Sequence, residues 1–184
     1  MPDRYPSQGR GSYSSSAEQK PSFEQEVEIT LLEAYQGSTR RLEVDGRRLD
    51  IKIPPGAKTG TKVRVADAIT SSQGRKGDLF LVIKVMDDPR FERKGDDLYT
   101  DVNVGLYTAV LGGETTVQTM SGNVVLTIPA GTQPSQTFRL AGRGMPQLRK
   151  PEQHGDLFVR AKVIIPRNLT PQQKEMFQKL EKSS

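Results

Sequence analysis

The strongest constraint on the fold is an internal repeat. The segment "VEITLLEAYQG" begins at Val27 and "VNVGLYTAVLG" begins at Val102, an offset of 75 residues. The same offset relates "LDIKIPPG" from Leu49 to "VVLTIPAG" from Val124. Because there are two copies and not three or more, the pattern indicates a duplicated domain and not a solenoid.

The two copies lose this offset before their last segment. "GDLFLVIKV" contains Asp78 and "GDLFVRAKV" contains Asp156, an offset of 78 residues. The second copy therefore gained three residues within "AGRGMPQLRKPEQH". Since loops tolerate length changes and strands do not, we expect a surface loop there. We interpret the repeated "GDLF" as structural, with glycine turning the chain and aspartate bonding nearby backbone.

Alternation of apolar and polar residues predicts short strands along most of the chain. Val27, Ile29 and Leu31 alternate with polar residues, and the same period returns in "RRLEV", "RLDIKI", "TKVRV" and "DLFLVIKVMDD". Turn-forming residues separate these segments, and Asp45-Gly46 between two of them predicts a tight hairpin. The sequence therefore indicates an all-β fold made of two similar units.

The repeats and their flanks divide the chain into four parts. Residues 1–24 are rich in Ser, Gly, Gln and Pro, a composition typical of a disordered tail or linker. We expect a first β domain at residues 25–96 and a second at 97–168. Residues 169–184 are expected to contain a terminal helix.

The terminal segment carries the signals of a helix start. Thr170 can cap the helix, Pro171 suits its first turn, and Gln173 completes a capping box. One face of this helix is apolar and consists of Met176, Phe177 and Leu180. A helix of about a dozen residues is marginal alone in water, so this face must pack on something. Docking within the chain and packing against a second copy explain it equally well.

Composition removes several classes of function. The chain has no cysteine and a single histidine, His154, which removes thiol nucleophiles, most zinc sites and most general-base schemes. A β-sandwich hydrolase would need His154 or a carboxylate pair, and no such pair stands out, so we expect no enzyme, cofactor or bound metal. Without a long apolar run, no membrane span is expected, and a cytoplasmic protein is the default. A net charge of +5 permits nucleic-acid binding as an alternative.

The ordered motifs are similar to those of a known family. Together, "LDIKIPPGAKTGTKVRV", "FERKGDDLY", "HGDLFVRAKV" and "AVLGGETTVQTMSGNVVLTIPAGTQPSQTFRLAGRGMP" resemble the C-terminal substrate-binding region of J-domain co-chaperones, the DnaJ family. The resemblance runs from about Gln25 to the terminal helix. It is strongest to type II (class B) members, including the curved-DNA-binding branch, which keeps DNA binding as the alternative function.

The resemblance implies two tandem β-sandwich-like barrel domains, followed by a helix through which two chains form a dimer. It implies a non-catalytic module whose first repeat binds unfolded polypeptide, or the acidic tail of a DnaK-type chaperone, in an apolar groove. Carried onto this chain, the groove residues are Val27, Ile29, Leu42, Val44 and Phe91. The basic residues matching the acidic-tail site are Arg40, Arg41 and Arg47. The dimer interpretation is thereby favoured for Met176, Phe177 and Leu180.

Some features differ from the family pattern. The sequence has no "HPD" tripeptide and no cysteine-rich zinc module, so this chain is not expected to stimulate ATP hydrolysis by a DnaK-type chaperone. Asp88 stands where the family usually carries a histidine. A competing interpretation makes Val27, Leu42 and Val44 plain core residues, because alternation alone does not say which apolar face looks outward.

Overall fold

The computed structural model of the chain describes residues 22–71 and 74–183. The elements in this part of the chain are, in order, β1 (Ser22–Ile29), α1 (Leu31–Gln36), β2 (Ser38–Val44), β3 (Arg47–Ile53), β4 (Lys62–Thr70), β5 (Lys76–Val85), β6 (Glu92–Lys94), β7 (Asp97–Gly105), α2 (Leu106–Leu111), β8 (Gly113–Thr119), β9 (Gly122–Ile128), β10 (Thr137–Leu140), β11 (Pro146–Gln147), β12 (Lys150–His154), β13 (Leu157–Ile164) and α3 (Pro171–Lys182). Of the tail predicted for residues 1–24, residues 1–21 lie outside the described residues. Residues 22–24 belong to β1, where Glu24 lies opposite Phe80 of β5, so the strand begins earlier than predicted.

The all-β prediction with a short terminal helix is confirmed. In the first repeat, a sheet of order β1-β5-β4 packs with the ribbon β2-β3. In the second, a sheet of order β10-β13-β7-β6 packs with the ribbon β8-β9. Buried residues of the sheets and ribbons form one cluster that runs through both repeats. Each repeat is therefore a sheet and a ribbon with apolar faces turned toward a common core.

The duplication is visible in the strand register. β1 runs parallel to β5 with Val27 opposite Ile83, and β7 runs parallel to β13 with Val102 opposite Ala161. These pairs are related by the offsets of 75 and 78 residues that the sequence shows. Each repeat thus pairs its first strand with its last long strand. In the second repeat, the three extra residues come between these two strands in the sequence.

One short strand crosses the predicted domain boundary. β6 pairs with β7 of the second sheet, with Arg93 opposite Leu98, although the boundary at residue 96 assigns β6 to the first domain. We keep the division into two domains as a proposal, with β6 assigned to the second repeat.

The predicted hairpin at Asp45-Gly46 is confirmed. Val44 lies opposite Arg47 in the β2-β3 ladder, so the two residues between them make the whole turn. Asp45 and Gly46 have φ values of 50° and 71°. Positive φ at both central residues gives the turn a twist that matches the flanking strands, and this favours Asp-Gly there.

Two one-and-a-half-turn helices, α1 and α2, were not predicted. At α1, the Thr30 hydroxyl accepts from the Glu33 amide at 3.1 Å, and the Glu33 carboxylate accepts from the Thr30 amide at 2.8 Å. This is a complete capping box, a signal that the sequence does contain. At α2, Gly105 precedes the helix and offers no side-chain cap. Each helix buries one alanine, Ala34 in the first repeat and Ala109 in the second.

The segment that contains the insertion lies at the surface at residues 148–153, as predicted, but it is an ordered hairpin on a buried base. It forms the small hairpin β11-β12, and Gly144, Met145 and Pro146 are buried. The Met145 amide donates to the Asp96 carbonyl at 2.7 Å. The buried base was not predicted, because it packs on a partner elsewhere in the chain that sequence periodicity does not reveal.

Candidate functional site

The face of the β2-β3 ribbon that turns toward the β1 strand carries a short apolar stripe between cations. Residues two apart on a strand share a face, so Leu42 and Val44 lie on the same side as Arg40. Directly opposite residues also share a face, and Arg47 lies opposite Val44. Leu42 and Val44 are half-buried and pack against the common core. They therefore keep some apolar surface available to a ligand.

All five predicted groove residues belong to the core cluster that runs through both repeats, but they differ in exposure. Val27 is 9% exposed and Phe91 is 5% exposed, so each offers only an edge to solvent. Ile29 is 0% exposed. Contrary to the expectation for it, Ile29 is therefore a core residue with no surface with which to line a groove.

The two strands that flank this stripe each have a free edge in the described part of the chain. β1 pairs there with β5 alone, and β2 pairs with β3 alone. The gap between them is bridged by the Arg40 guanidinium, which donates to the Glu28 carbonyl at 3.3 Å and to the Glu33 carboxylate at 3.0 Å. In the second repeat, Thr115 makes the equivalent contact to the Asn103 carbonyl at 3.5 Å. Unpaired edges of this kind can accept an added strand.

The three predicted basic residues do not form one cluster. Arg40 is half-buried between β1 and β2, and Arg47 is exposed beside the turn on the same face. Arg41 points to the opposite face, where its Nε and Nη2 donate to the Asp50 carboxylate at 2.7 and 3.0 Å. This pairing lowers the pKa of Asp50 and raises the pKa of Arg41. Arg41 is therefore separated from the groove.

Asp88 builds the turn that holds Phe91 in the core. Its carboxylate accepts from the Arg90 amide at 2.9 Å and from the Arg90 guanidinium at 2.9 and 3.1 Å, and these bonds lower the pKa of Asp88. The Asp88 carbonyl accepts from the Phe91 amide at 3.3 Å, and the Arg90 guanidinium lies 5.3 Å from the Phe91 ring centre. An aspartate at this position thus has a structural role of its own.

A second concave surface, which the sequence did not predict, lies where the two repeats meet. This groove has a volume of about 950 Å³ and is lined by Leu31 and Lys58 of the first repeat and by Tyr99 and Phe158 of the second. The two aromatic rings stack with centres 5.0 Å apart. Of the five predicted groove residues, Phe91 is the one that contributes to it. Tyr99 and Phe158 become neighbours through the β7-β13 register, which no local pattern specifies.

The terminal helix begins as predicted. In α3, the Thr170 hydroxyl accepts from the Gln173 amide at 3.2 Å, and Pro171 occupies the first turn. Phe177 is half-buried and stacks on Tyr107 of α2, with ring centres 6.3 Å apart. Met176 and Leu180 are 55% and 62% exposed. Docking within the chain therefore accounts for Phe177 and leaves most of the apolar face uncovered.

The described residues, 22–71 and 74–183, offer neither a metal-binding cluster nor a membrane-spanning helix. Within those ranges, no three His, Cys, Asp or Glu side chains are grouped so that they could hold a metal ion. No helix in the same ranges has the length and apolar character needed to cross a bilayer. The histidine ring of His154 lies 5.8 Å from the ring of Tyr35, centre to centre.

Comparison with known proteins agrees with the arrangement of repeats. Residues 23–166 match the model of the DnaJ C terminal domain. The chain is 40% identical over 158 residues to "Chaperone protein DnaJ" of Deinococcus proteolyticus, covering 85% of this chain and 49% of the relative. It is 38% identical over 156 residues to "Chaperone protein DnaJ 2" of Thermus thermophilus, covering 84% of this chain and 54% of the relative.

The chain spans about half the length of these curated relatives. The matched part of the chain contains both repeats and ends just before the terminal helix. On the strength of the family match and of these identities, the chain belongs to the DnaJ C-terminal domain family.

Proposed function

We propose that the chain is a non-catalytic, cytoplasmic co-chaperone module that binds extended, unfolded polypeptide at its first repeat and presents it to a DnaK-type chaperone. The observation that carries this proposal is the half-buried pair Leu42 and Val44 beside the free edges of β1 and β2. The relatives' names, which are those of DnaJ chaperones, support the general role.

Strand addition is the binding mode that this surface favours. An extended peptide would pair its backbone with a free edge and set alternate side chains against Leu42 and Val44. Affinity would come from main-chain hydrogen bonds, which do not depend on sequence, while the shallow apolar contact accepts varied side chains. Such a site suits a ligand that is defined by being unfolded and not by its sequence.

The same face fits an acidic peptide from a partner chaperone. Arg40 and Arg47 lie on the groove side of the ribbon, at either end of the apolar pair. Arg41 is left out of this proposal because it lies on the other face in a pair with Asp50. Arg47→Ala is expected to weaken binding of an acidic peptide in a calorimetric titration, whereas Arg41→Ala serves as the matched control.

A dimer through α3 is the third part of the proposal. Met176 and Leu180 are exposed, and Phe177 beside them stacks on Tyr107 of α2. Further exposed apolar side chains lie on α2 and at and after the end of β13, namely Val110, Leu111, Ile164 and Ile165. Exposed apolar surface of this extent usually marks an interface. Two grooves in one dimer would raise the avidity for a client that spans both, by about 10² to 10⁴.

Client binding is tested by comparing the parent chain with a double variant in the groove and with a single control variant elsewhere. Leu42→Ser with Val44→Ser should abolish suppression of aggregation of a heat-unfolded reporter, because it removes the apolar contact of the groove. Val125→Ser, at an exposed apolar residue of the second ribbon, is the control and should act like the parent. Phe91 is left unchanged, because its burial makes a serine there a test of folding and not of binding.

Circular dichroism and cooperative unfolding must show that the double variant is folded. If the folded double variant suppresses aggregation as well as the parent, binding is elsewhere and the proposal is wrong. If the parent itself has no activity, the proposed function fails for this chain.

DNA binding is the competing proposal, and the described cations give it little support. Several exposed arginines and lysines are already paired with carboxylates, as in Arg41–Asp50, Lys84–Glu28, Arg139–Asp156 and Arg160–Asp101. Duplex binding that falls steeply with added salt would favour it, and no binding at low salt would end it.

A further inference from the structure

The three residues that the second repeat gained relative to the first lie in a segment that packs against the first repeat. The segment that contains them, residues 144–154 with the hairpin β11-β12, will be called the strut. We propose that the strut holds the two repeats at one fixed angle, so that the repeats move as one rigid body. This inference stands whether or not the chain binds polypeptide.

Gly56 shows how closely the strut approaches the first repeat. A Cβ atom at Gly56 would lie 2.5 Å from the Pro146 carbonyl oxygen and 2.7 Å from the Leu148 amide nitrogen. Both are backbone atoms, so they cannot move aside as a flexible side chain could. Gly131, the equivalent glycine of the second repeat, has a similar φ of 79° against 85° at Gly56, and a Cβ there would meet nothing within 4 Å. The strut therefore takes up the space beside Gly56 that is open beside Gly131.

The strut is fastened at its other side to the turn between β6 and β7. The Asp96 carbonyl accepts from the Met145 amide at 2.7 Å. A Cβ at Gly144 would lie 2.6 Å from that same oxygen, and a Cβ at Gly155 would lie 2.2 Å from it. Both glycines are therefore required for the backbone to approach Asp96 this closely. The strut thus makes close main-chain contacts on two sides, with Gly56 of the first repeat and with Asp96.

Arg93 ties the same turn to the first repeat. Its guanidinium donates to the carbonyls of Ala57 at 2.8 Å, Gly56 at 3.1 Å and Gly95 at 2.9 Å. The Arg93 side chain is half-buried, and this burial lowers its pKa. A charged group that is partly withdrawn from water needs hydrogen-bond acceptors, and these three carbonyls supply them. An arginine can bind several carbonyls at once because its donors form a rigid planar fork.

Two further side-chain contacts connect the two repeats. Lys58 of the first repeat pairs with Asp96 at 3.0 Å. Tyr35 of α1 meets His154 at the end of β12, with ring centres 5.8 Å apart. Contacts therefore reach the first repeat from the strut and from the β6-β7 turn, which together resist rotation better than a single contact point would.

The test measures the distance between the repeats. Because the chain has no cysteine, Lys52→Cys with Thr127→Cys allows two spin labels at equivalent exposed positions of β3 and β9. Double electron–electron resonance is recorded on the labelled chain mixed with an excess of unlabelled chain, so that distances between molecules of a dimer do not contribute. The parent should give one narrow distance distribution.

Gly56→Ala should shift or broaden this distribution, while Gly131→Ala, which carries the same backbone strain, should leave it as in the parent. Arg93→Gln should also broaden it and covers the case in which Gly56→Ala does not fold, as judged by circular dichroism. A broad distribution in the parent overturns the proposal. A folded Gly56→Ala variant with the same distance distribution as the parent also overturns it. If Gly56→Ala is unfolded, the same result for Arg93→Gln overturns it.

Discussion

At one pair of equivalent positions, both repeats take the left-handed backbone conformation, with a glycine in the first repeat and a serine in the second. Gly60 has φ 89° and its amide donates to the Ile83 carbonyl at 2.8 Å. Ser135 has φ 66° and its amide donates to the Ala161 carbonyl, also at 2.8 Å. Left-handed φ strains a serine and not a glycine, so at this position the second repeat carries strain that the first avoids.

Ser135→Gly should therefore stabilise the protein. Relief of the strain outweighs the extra chain entropy of glycine in the unfolded state, and the free energy of unfolding should rise by up to about 1 kcal/mol. Gly60→Ser should lower it by a similar amount, since a Cβ there meets no other atom and the backbone alone decides. Urea unfolding of both variants measures this, and a fall for Ser135→Gly would contradict it.

A carboxylate beside the strut gives the protein a predictable weakness in acid. Asp156 accepts from the Gly142 amide at 2.9 Å and from the Arg139 guanidinium at 2.6 Å, and both bonds lower its pKa. Because the folded pKa lies below the unfolded value of about 3.9, the bonds stabilise the fold above that pH. The stabilisation is lost as the pH falls through the folded pKa.

Asp156→Asn should accordingly lower the free energy of unfolding at neutral pH and make its decline between about pH 5 and pH 2 shallower. The measurement is urea unfolding over a series of pH values. An asparagine variant whose stability declines as steeply as that of the parent would show that Asp156 is not responsible.

Among the elements, the two capped helices offer a matched comparison. Thr170 caps α3 and Thr30 caps α1, each in a capping box. Replacing a capping threonine by alanine usually costs about 1 kcal/mol of helix stability. Since α3 has no fully buried residue, the loss at Thr170→Ala should appear as local fraying of α3.

Hydrogen exchange distinguishes local fraying of α3 from a loss of global stability. Thr170→Ala should speed exchange of the α3 amides and leave the sheets unchanged, whereas Thr30→Ala should lower global stability because α1 packs into the core through Leu31 and Ala34. Equal and global destabilisation by both variants would mean that α3 is integral to the fold.

The elements also show which structure the sequence could predict. The longer strands and the Asp45-Gly46 turn were predicted because alternation and turn chemistry are local properties, whereas the short strands β6, β11 and β12 were not. The helix α1 was missed although its capping box at Thr30 and Glu33 is readable, because its six residues follow directly on a strand pattern. The helix α2 has no side-chain cap, and the duplication was the only signal for it. The burial of Met145 depends on a distant partner and has no local signal.

For the whole molecule, the proposed dimer is the assembly to test. Met176→Asp should convert a dimer into a monomer in sedimentation velocity experiments, because it places a charge in the apolar face of α3. Lys174→Asp, a change on the same helix at an exposed polar residue, is the control for added negative charge. A parent that sediments as a monomer, or a Met176→Asp variant that remains dimeric, would refute the assignment.

At the same scale, the candidate site could be predicted only in part. The resemblance predicts Leu42 and Val44 as groove residues, and both are half-buried on the ribbon. It did not separate them from Ile29, because alternation gives the face of a strand and not the depth of burial. Arg40 and Arg41 are neighbours in sequence and lie on opposite faces, a distinction that follows once the strand is placed. The groove between the repeats depends on how the repeats pack, which the sequence does not state.

The parallel pairing of first and last strands has a consequence during synthesis. Ser22 of β1 lies opposite Asp78 of β5, and Ile29 lies opposite Val85. A nascent chain leaving the ribosome presents β1 well before β5 exists, so the first repeat cannot close until its final strand has emerged. During that interval its own β1 is an extended segment with open backbone, which is the kind of polypeptide that the finished module is proposed to bind.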